Sequence, residues 1–277
     1  KFNSKLSSHF VTFSNFDLHL LLNSFIIDSS IVDITEILET RNKLKQNVTE
    51  LEKLTTELDH LVYRTSHDLR TPVASLLGLL ELLRLDDDPN PKKYMDLFQG
   101  QLIRLDQIIR DIINYRKIAK VGMVIETIDL ELIIYEVLKD NEFTQGSAKV
   151  AKHVEFSDDC KSSIKLDKFS LNILLNNLIS NAIKYSDLTK DEPYIKIVAS
   201  CNSEFVTISV IDNGIGISKD QQNKVFDMFH RATNKSSGSG LGLFILKEAV
   251  VKMKGEVELT SVEGKGSTFT VKLPNRA

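Results

Sequence analysis

His67 opens the run His67-Asp68-Leu69-Arg70-Thr71-Pro72, and far downstream lie three groups of the residue types a nucleotide site needs: Asn177-x-x-x-Asn181, Asp212-x-Gly214-x-Gly216 and Gly238-x-Gly240-x-Gly242. Asn177 and Asn181 are one helical turn apart, so both carboxamides project from one face. An amide oxygen is a suitable hard ligand for a magnesium ion already carrying phosphate charge. Lys184 and Tyr185 follow, a cation for phosphates and a ring for a base. Asp212 ends an apolar strand pattern, where its carboxylate can accept from an adenine amino group while Gly214 and Gly216 let the backbone approach a nucleotide. The last group leads into a helix starting near Leu241, so the amides around Gly238, Gly240, Leu241 and Gly242 converge with a helix N-terminus on an anion site. Gly264-Lys-Gly-Ser267 lacks the spacing of a P-loop. Each group is a weak signal alone. In this order they suggest an imidazole that takes a phosphoryl group from ATP held elsewhere in the chain.

These residues need elements to position them. From Leu44 the positions Leu44, Val48, Leu51, Thr55, Leu58, Val62, Thr65 and Leu69 alternate spacings of four and three, the heptad of a coiled coil, so a parallel partner helix is expected. With Leu44 at d, His67 falls at f, turned furthest from the seam and open to solvent. Leucines at 76, 77, 79, 80, 82 and 83 continue the helix to the turn Asp86-Asp-Asp-Pro-Asn-Pro91, and Leu102, Leu105, Ile109 and Ile112 mark a returning helix. Such a hairpin is too narrow to bury its own apolar face, and two copies make a four-helix bundle. After Gly122 the texture changes. Period-two segments at 194–201, 205–211, 256–261 and 267–273 read as strands, and helices are expected near 129–143, 168–185, 218–229 and 241–253. The C-terminal part is therefore a sandwich of sheet against helices, and the whole is α+β.

Composition bounds the rest. The chain has 277 residues, 42% of them hydrophobic, enough for two domains with a sizeable core. Lys plus Arg number 35 against 38 Asp plus Glu, a net charge of −3, so no basic field draws nucleic acid or an anionic membrane. Cys160 and Cys201 lack metal-ligand spacing and read as two free thiols of a reducing compartment. The apolar run Leu20 to Val32 is broken by Asn23 and Asp28, short of the roughly 18 residues of a membrane span. The chain starts at Lys1 without a methionine, which suggests a fragment or processed product whose parent could carry an anchor or sensor upstream. Phe10-Val-Thr-Phe13 and Phe25-Ile-Ile27 read as strands.

The elements from about residue 44 to 274 resemble the sensor histidine kinases of two-component signalling. His67 to Pro72 matches the family's histidine box, Asn177 to Ser186 its asparagine box, and the groups at Asp212 and Gly238 its two glycine boxes. Phe226-Asp-Met-Phe229 stands at the phenylalanine box, and Gly264-x-Gly266-Ser-Thr-Phe269 looks like its closing motif. The stretch Val32-Asp-Ile-Thr-Glu36 is similar to the last strand and exit of a PAS sensor domain. Residues 1–36 would then be a sensor remnant, 37–60 a coiled-coil signalling helix, 61–120 the dimerisation and phosphotransfer hairpin, and 121–277 a gyrase-type ATP-binding domain.

The resemblance implies that His67 is the phosphoacceptor and Asp68 the acid that takes its proton. Thr71 would orient water for dephosphorylating a partner, Asn181 bind Mg2+, Asp212 read adenine, Lys184 contact phosphate and Arg231 face the γ-phosphate. A homodimer and a response-regulator receiver domain are the implied partners, and the cytoplasm the implied location. Related gyrase-type ATPases carry a water-activating glutamate where this chain has Asn177. An amide cannot act as that base, so the substitution favours transfer to a protein group over hydrolysis. Residues 232–237 read as a polar lid over the nucleotide. The less favoured alternatives are a dimeric signalling scaffold without catalysis and a free-standing gyrase-like ATPase.

Overall fold

The computed structural model describes residues 15–86, 90–120, 122–144, 146–157, 160, 164–231 and 239–276. The strand expected at 10–13, the lid expected at 232–237 and Gly238 lie outside them. Two compact units divide the chain, Lys1–Tyr63 and Arg64–Ala277. Helix α1 is Asn15–Leu85, so the strand expected at 25–27 and the last PAS-type strand expected at 32–36 are helix instead. The reason lies in what the segment lacks: from Asn15 to Thr71 no Gly or Pro interrupts the chain, and a short β-branched run cannot override that continuity. In the first unit Leu44, Val48, Leu51 and Val62 are exposed, the side chains the heptad places at a seam. No helix among the described residues is long and apolar enough to cross a membrane.

In the second unit, helix α2 (Pro91–Lys120) starts as its sequence dictates. Pro91 sits at the first helical position, where its missing N–H costs nothing, and Asn90 Oδ1 caps the amide of Lys93 at 3.1 Å. Tyr94 donates to Asp86, which follows the end of α1, at 2.9 Å. A two-stranded ribbon follows, β1 (Ile125–Ile128) antiparallel to β3 (Ile164–Asp167). Between them lie α3 (Leu130–Asp140) and β2 (Ala151–Phe156).

The main sheet has the order β2-β4-β5-β7-β6, with β4 (Tyr194–Cys201), β5 (Phe205–Asp212), β6 (Glu256–Val262) and β7 (Gly266–Pro274). Only β2 and β4 run parallel; the other neighbours are antiparallel. Burial alternates residue by residue along β4 and β5, so one face meets the helices. Against it lies α4 (Lys168–Lys184), capped by Asp167 and buried at Leu171, Leu174, Leu175, Leu178 and Ile179, with α3 and α6 (Gly242–Lys252) beside it.

Three further sequence expectations change. The helix expected at 129–143 stops at Asp140, where buried Asn141 caps it and donates to Asn176. The helix expected at 218–229 shrinks to α5 (Lys219–Gln222). A continuous helix would set Phe226 and Phe229 on one face. Instead Phe226 joins the main core, 6.3 Å from Phe269, while Phe229 joins the smaller cluster under α6. Cys160 and Cys201 form a disulfide and are not free thiols. The Ser157 amide bonds to Ala199, and the Cys201 amide to Ser157 Oγ, which brings the chain after β2 beside the end of β4.

The C-terminal half of α2 packs on the α6 side of the domain. Ile118 shares a buried cluster with Ile173, Leu241, Ile245 and Ala249, and the rings of Tyr115 and Phe244 lie 5.6 Å apart. Asp111 is 6% exposed within this contact. Its carboxylate accepts from Ser239 Oγ at 2.6 Å and from Gln107 at 2.9 Å. Burial pushes its pKa up, while the bonds from Ser239 and Gln107 and the charge of Lys184 oppose the rise. A raised native pKa means this group stabilises the packing fully when protonated, and the stabilisation is lost as pH rises through the raised value. Asp111→Asn stays neutral throughout. Melting curves at stepped pH should fall less steeply with rising pH for Asp111→Asn than for the wild type, and parallel slopes would contradict this.

Candidate active site

Two groups of site residues stand on different elements. His67 lies on α1 with its side chain 71% exposed, and Nδ1 is 3.2 Å from Asp68 Oδ1. The Thr71 hydroxyl donates to the His67 carbonyl at 3.1 Å. Pro72, buried inside the helix, has no N–H to offer the Asp68 carbonyl one turn back. The bonds of His67, Asp68 and Thr71 thus stay within the hairpin.

The second group is built around the C-terminal half of α4. Asn177 donates to the Ile173 carbonyl at 2.9 Å, and its Oδ1 would lie 2.6 Å from a Cβ placed on Gly242. Its carboxamide therefore packs against the start of α6, where no side chain fits. Asn181, one turn on, is half-buried, and its carbonyl accepts from the Tyr185 amide at 2.9 Å. Lys184 Nζ lies 5.2 Å from the Tyr185 ring centroid. The Tyr185 carbonyl in turn accepts from Ile215 at 3.0 Å, which joins the asparagine segment to the first glycine segment.

Asp212 ends β5 and is 9% exposed. Oδ1 accepts from the amides of Gly214 at 2.8 Å and Ser267 at 3.3 Å, so Oδ2 keeps its acceptor capacity for a ligand. Burial raises its pKa; the two amide bonds and the charge of Lys190 oppose the rise. Asp212 and Ser267 are paired across β5 and β7. Gly266 beside it has φ 125°, and a Cβ there would fall 2.0 Å from the Asp212 carbonyl oxygen, so only glycine allows β7 to start this close. The amide of Gly264 reaches back to Ile215 at 2.7 Å, beside Gly216.

The second glycine segment meets the phenylalanine segment through its backbone. Gly240 accepts from the Phe229 amide at 3.0 Å, and Phe229 itself holds φ 64°, a conformation a bulky residue adopts only where its surroundings impose it. Leu241 donates to Ser239 Oγ at 3.1 Å, the same hydroxyl that donates to Asp111. Leu241 and Gly242 open α6 as expected. Arg231 is exposed at the edge of the described residues.

The structure thus unites Asn177 with Gly242, and Tyr185 with Asp212, Gly214 and the Gly216 segment. Sequence reasoning gave no role to Ser267, Ser239, Asp111 or Lys190. Ser267 and Ser239 lay inside motifs already marked by glycines. Asp111 and Lys190 carried no signal, since one acid on a helix and one lysine in a turn look like solvated surface.

Residues 57–120 match the His Kinase A (phospho-acceptor) domain, and residues 166–277 match the histidine kinase-, DNA gyrase B- and HSP90-like ATPases. The sensor histidine kinase WalK of Bacillus subtilis is 30% identical over 235 residues, which cover 82% of this chain and 38% of WalK. The autoinducer 2 sensor kinase/phosphatase LuxQ of Vibrio vulnificus is 29% identical over 87% of this chain and 29% of its own. The chain therefore spans well under half the length of these relatives. The structure of the Acinetobacter baumannii histidine kinase AdeS has the same fold, with a TM-score of 0.62 at 22% identity over 76% of this chain and 98% of AdeS. With a phospho-acceptor domain followed by an ATPase domain of the histidine kinase type, the chain belongs to the sensor histidine kinases of two-component systems.

Proposed function

We propose that this chain transfers the γ-phosphoryl group of ATP to its own His67 and passes it on to an aspartate of a response-regulator receiver domain. The observation that carries the proposal is the exposed imidazole whose Nδ1 is held by Asp68. With Nδ1–H donated to that carboxylate, Nε2 keeps its lone pair and points the nucleophile outward. Attack forms an Nε2–P bond and breaks the bond from γ-phosphorus to the bridging oxygen, with ADP leaving and the Nδ1 proton passing to Asp68. Little covalent work falls to the ATP domain, which supplies position and charge.

ATP binds the 166–277 domain, as its family implies. The adenine amino group fits the open Oδ2 of Asp212, Tyr185 is assigned to the base, and Lys184, Arg231 and the amides of Gly240, Leu241 and Gly242 are assigned to the phosphates. The donor chemistry suits Mg2+: an amide oxygen is a hard ligand, and Mg2+ held mainly by phosphate and water needs only one from the protein. Asn181 would hold it there, where the ion would offset phosphate charge. Asn177, packed on Gly242, offers no carboxylate to activate water. That supports transfer over hydrolysis.

The exposed apolar seam at Leu44, Val48, Leu51 and Val62 supports a homodimer through a coiled coil. The family matches fall inside the proposed hairpin at 61–120 and domain at 121–277, apart from four residues before the hairpin. Residues 37–60 are read as the signalling helix and 1–36 as the end of a sensor segment. The use of ATP supports a cytoplasmic location. Thr71 near His67 supports a second activity, removal of phosphate from the regulator, as the name of LuxQ states for that relative.

Labelled ATP should mark wild-type protein with acid-labile, base-stable phosphate and leave His67→Gln unlabelled; equal labelling sinks the assignment, and steady phosphate release undiminished in His67→Gln would make the protein an ATPase. Asn181→Ala should lower labelling at saturating ATP by about a hundredfold or more, with partial recovery at raised Mg2+, since one interaction confined to phosphoryl transfer is worth that much. Thr71→Ala should keep labelling while slowing the loss of phosphate from a regulator. Unchanged loss assigns that activity elsewhere.

A further inference from the structure

Lys190 lies in the turn between α4 and β4 and is half-buried. Asp187 shapes that turn: its Oδ1 accepts from the Thr189 amide at 3.1 Å and hydroxyl at 2.6 Å, and its carbonyl accepts from the Lys190 amide at 3.2 Å. The Lys190 ammonium is thereby presented to two other loops. It donates to the carbonyls of Asn213 and Gly214 at the end of β5, and to that of Gly264 in the β6–β7 turn at 2.9 Å. An ammonium has three N–H donors, and here each meets a backbone carbonyl.

Three carbonyl oxygens brought to one point repel one another, and a cation at that point turns the repulsion into attraction. Asn213 fastens the same loop from its other side, accepting from the Tyr194 amide and donating to the Glu192 carbonyl, both at 2.8 Å. The loop so held contains the Gly214 amide that orients the Asp212 carboxylate. Lys190 also favours the charged forms of both Asp187 and Asp212.

We propose that Lys190 is a positioning residue for ATP recognition: its ammonium gathers the carbonyls of Asn213, Gly214 and Gly264 and so fixes the loop on which Asp212 reads adenine. This rests on the reading of Asp212 given above. Lys190 touches neither the phosphates nor His67 in this scheme, so its loss weakens binding of the base and leaves the phosphoryl step intact.

The test compares wild type, Lys190→Met, Lys190→Arg and Asp212→Asn in the full chain, by direct ATP titration and by labelling rate against ATP concentration. Lys190→Met should raise the ATP dissociation constant and KM about tenfold and reduce discrimination against GTP, with the labelling rate at saturating ATP within about twofold of wild type. Lys190→Arg, which keeps the charge, should recover most of the affinity. If Asp212→Asn loses ATP while Lys190→Met binds it like wild type, the role of Lys190 is overturned. Equal weakening by Met and Arg also overturns it, because charge is then not the agent. Wild-type ATP affinity in Asp212→Asn instead overturns the adenine reading beneath it.

Discussion

The ATP-binding domain depends on helix α4 being held between the sheet and its neighbouring helices. Leu171, Leu174, Leu175, Leu178 and Ile179 are each at most 1% exposed. At about 1.5–3 kcal/mol for each buried side chain of this size, they contribute on the order of 10 kcal/mol, comparable to the net stability of a whole domain. The helix cannot shift without losing that burial. Asn177, Asn181, Lys184 and Tyr185 are therefore delivered to fixed places, and the Tyr185 carbonyl can anchor the loop that follows Asp212. Rigidity in the apolar interior is what makes a polar site of backbone amides and carbonyls reliable.

The hairpin follows a different logic. Its histidine is exposed, held by the neighbouring acid, and bonded to nothing in the nucleotide site. The ATP domain meanwhile rests on the later part of α2 through the cluster around Ile118 and through Asp111 and Ser239. Ser239 also receives the Leu241 amide at the start of α6, so the contact from the hairpin ends on the glycine segment that faces phosphate in the proposed site. Burial of the Asp111 carboxyl there raises its pKa, and its hydrogen bonds and Lys184 offset only part of that cost. Packing of the hairpin and the chemistry of the nucleotide site share residues.

The sequence made most of the site legible because its chemistry depends on residue types at short spacing. Asn177 with Asn181 needs one helical turn, Asp212 with Gly214 needs a strand end, and the heptad places His67 outward. What stayed hidden depends on long-range register. Ser267 reaches Asp212 only because β7 pairs with β5, and Lys190 meets Gly264 only because two loops meet. β1 and β3 span only four residues each, and β2 mixes polar and apolar residues on both faces, so none carries a clear period-two signal. At 25–27 the long unbroken helical run around the segment overrides its local β propensity. The disulfide needed the parallel pairing of β2 with β4, which no cysteine spacing announces.

The central claim is that ATP delivers its γ-phosphoryl group to Nε2 of His67 while Asp68 holds Nδ1. Phosphorus NMR of the protein after incubation with ATP and Mg2+ reads the site and the ring nitrogen together. The account predicts one phosphoramidate signal with the shift of the Nε2 isomer, absent from His67→Gln. A signal of the Nδ1 isomer, or free phosphate accumulating with no protein-bound signal, would contradict it.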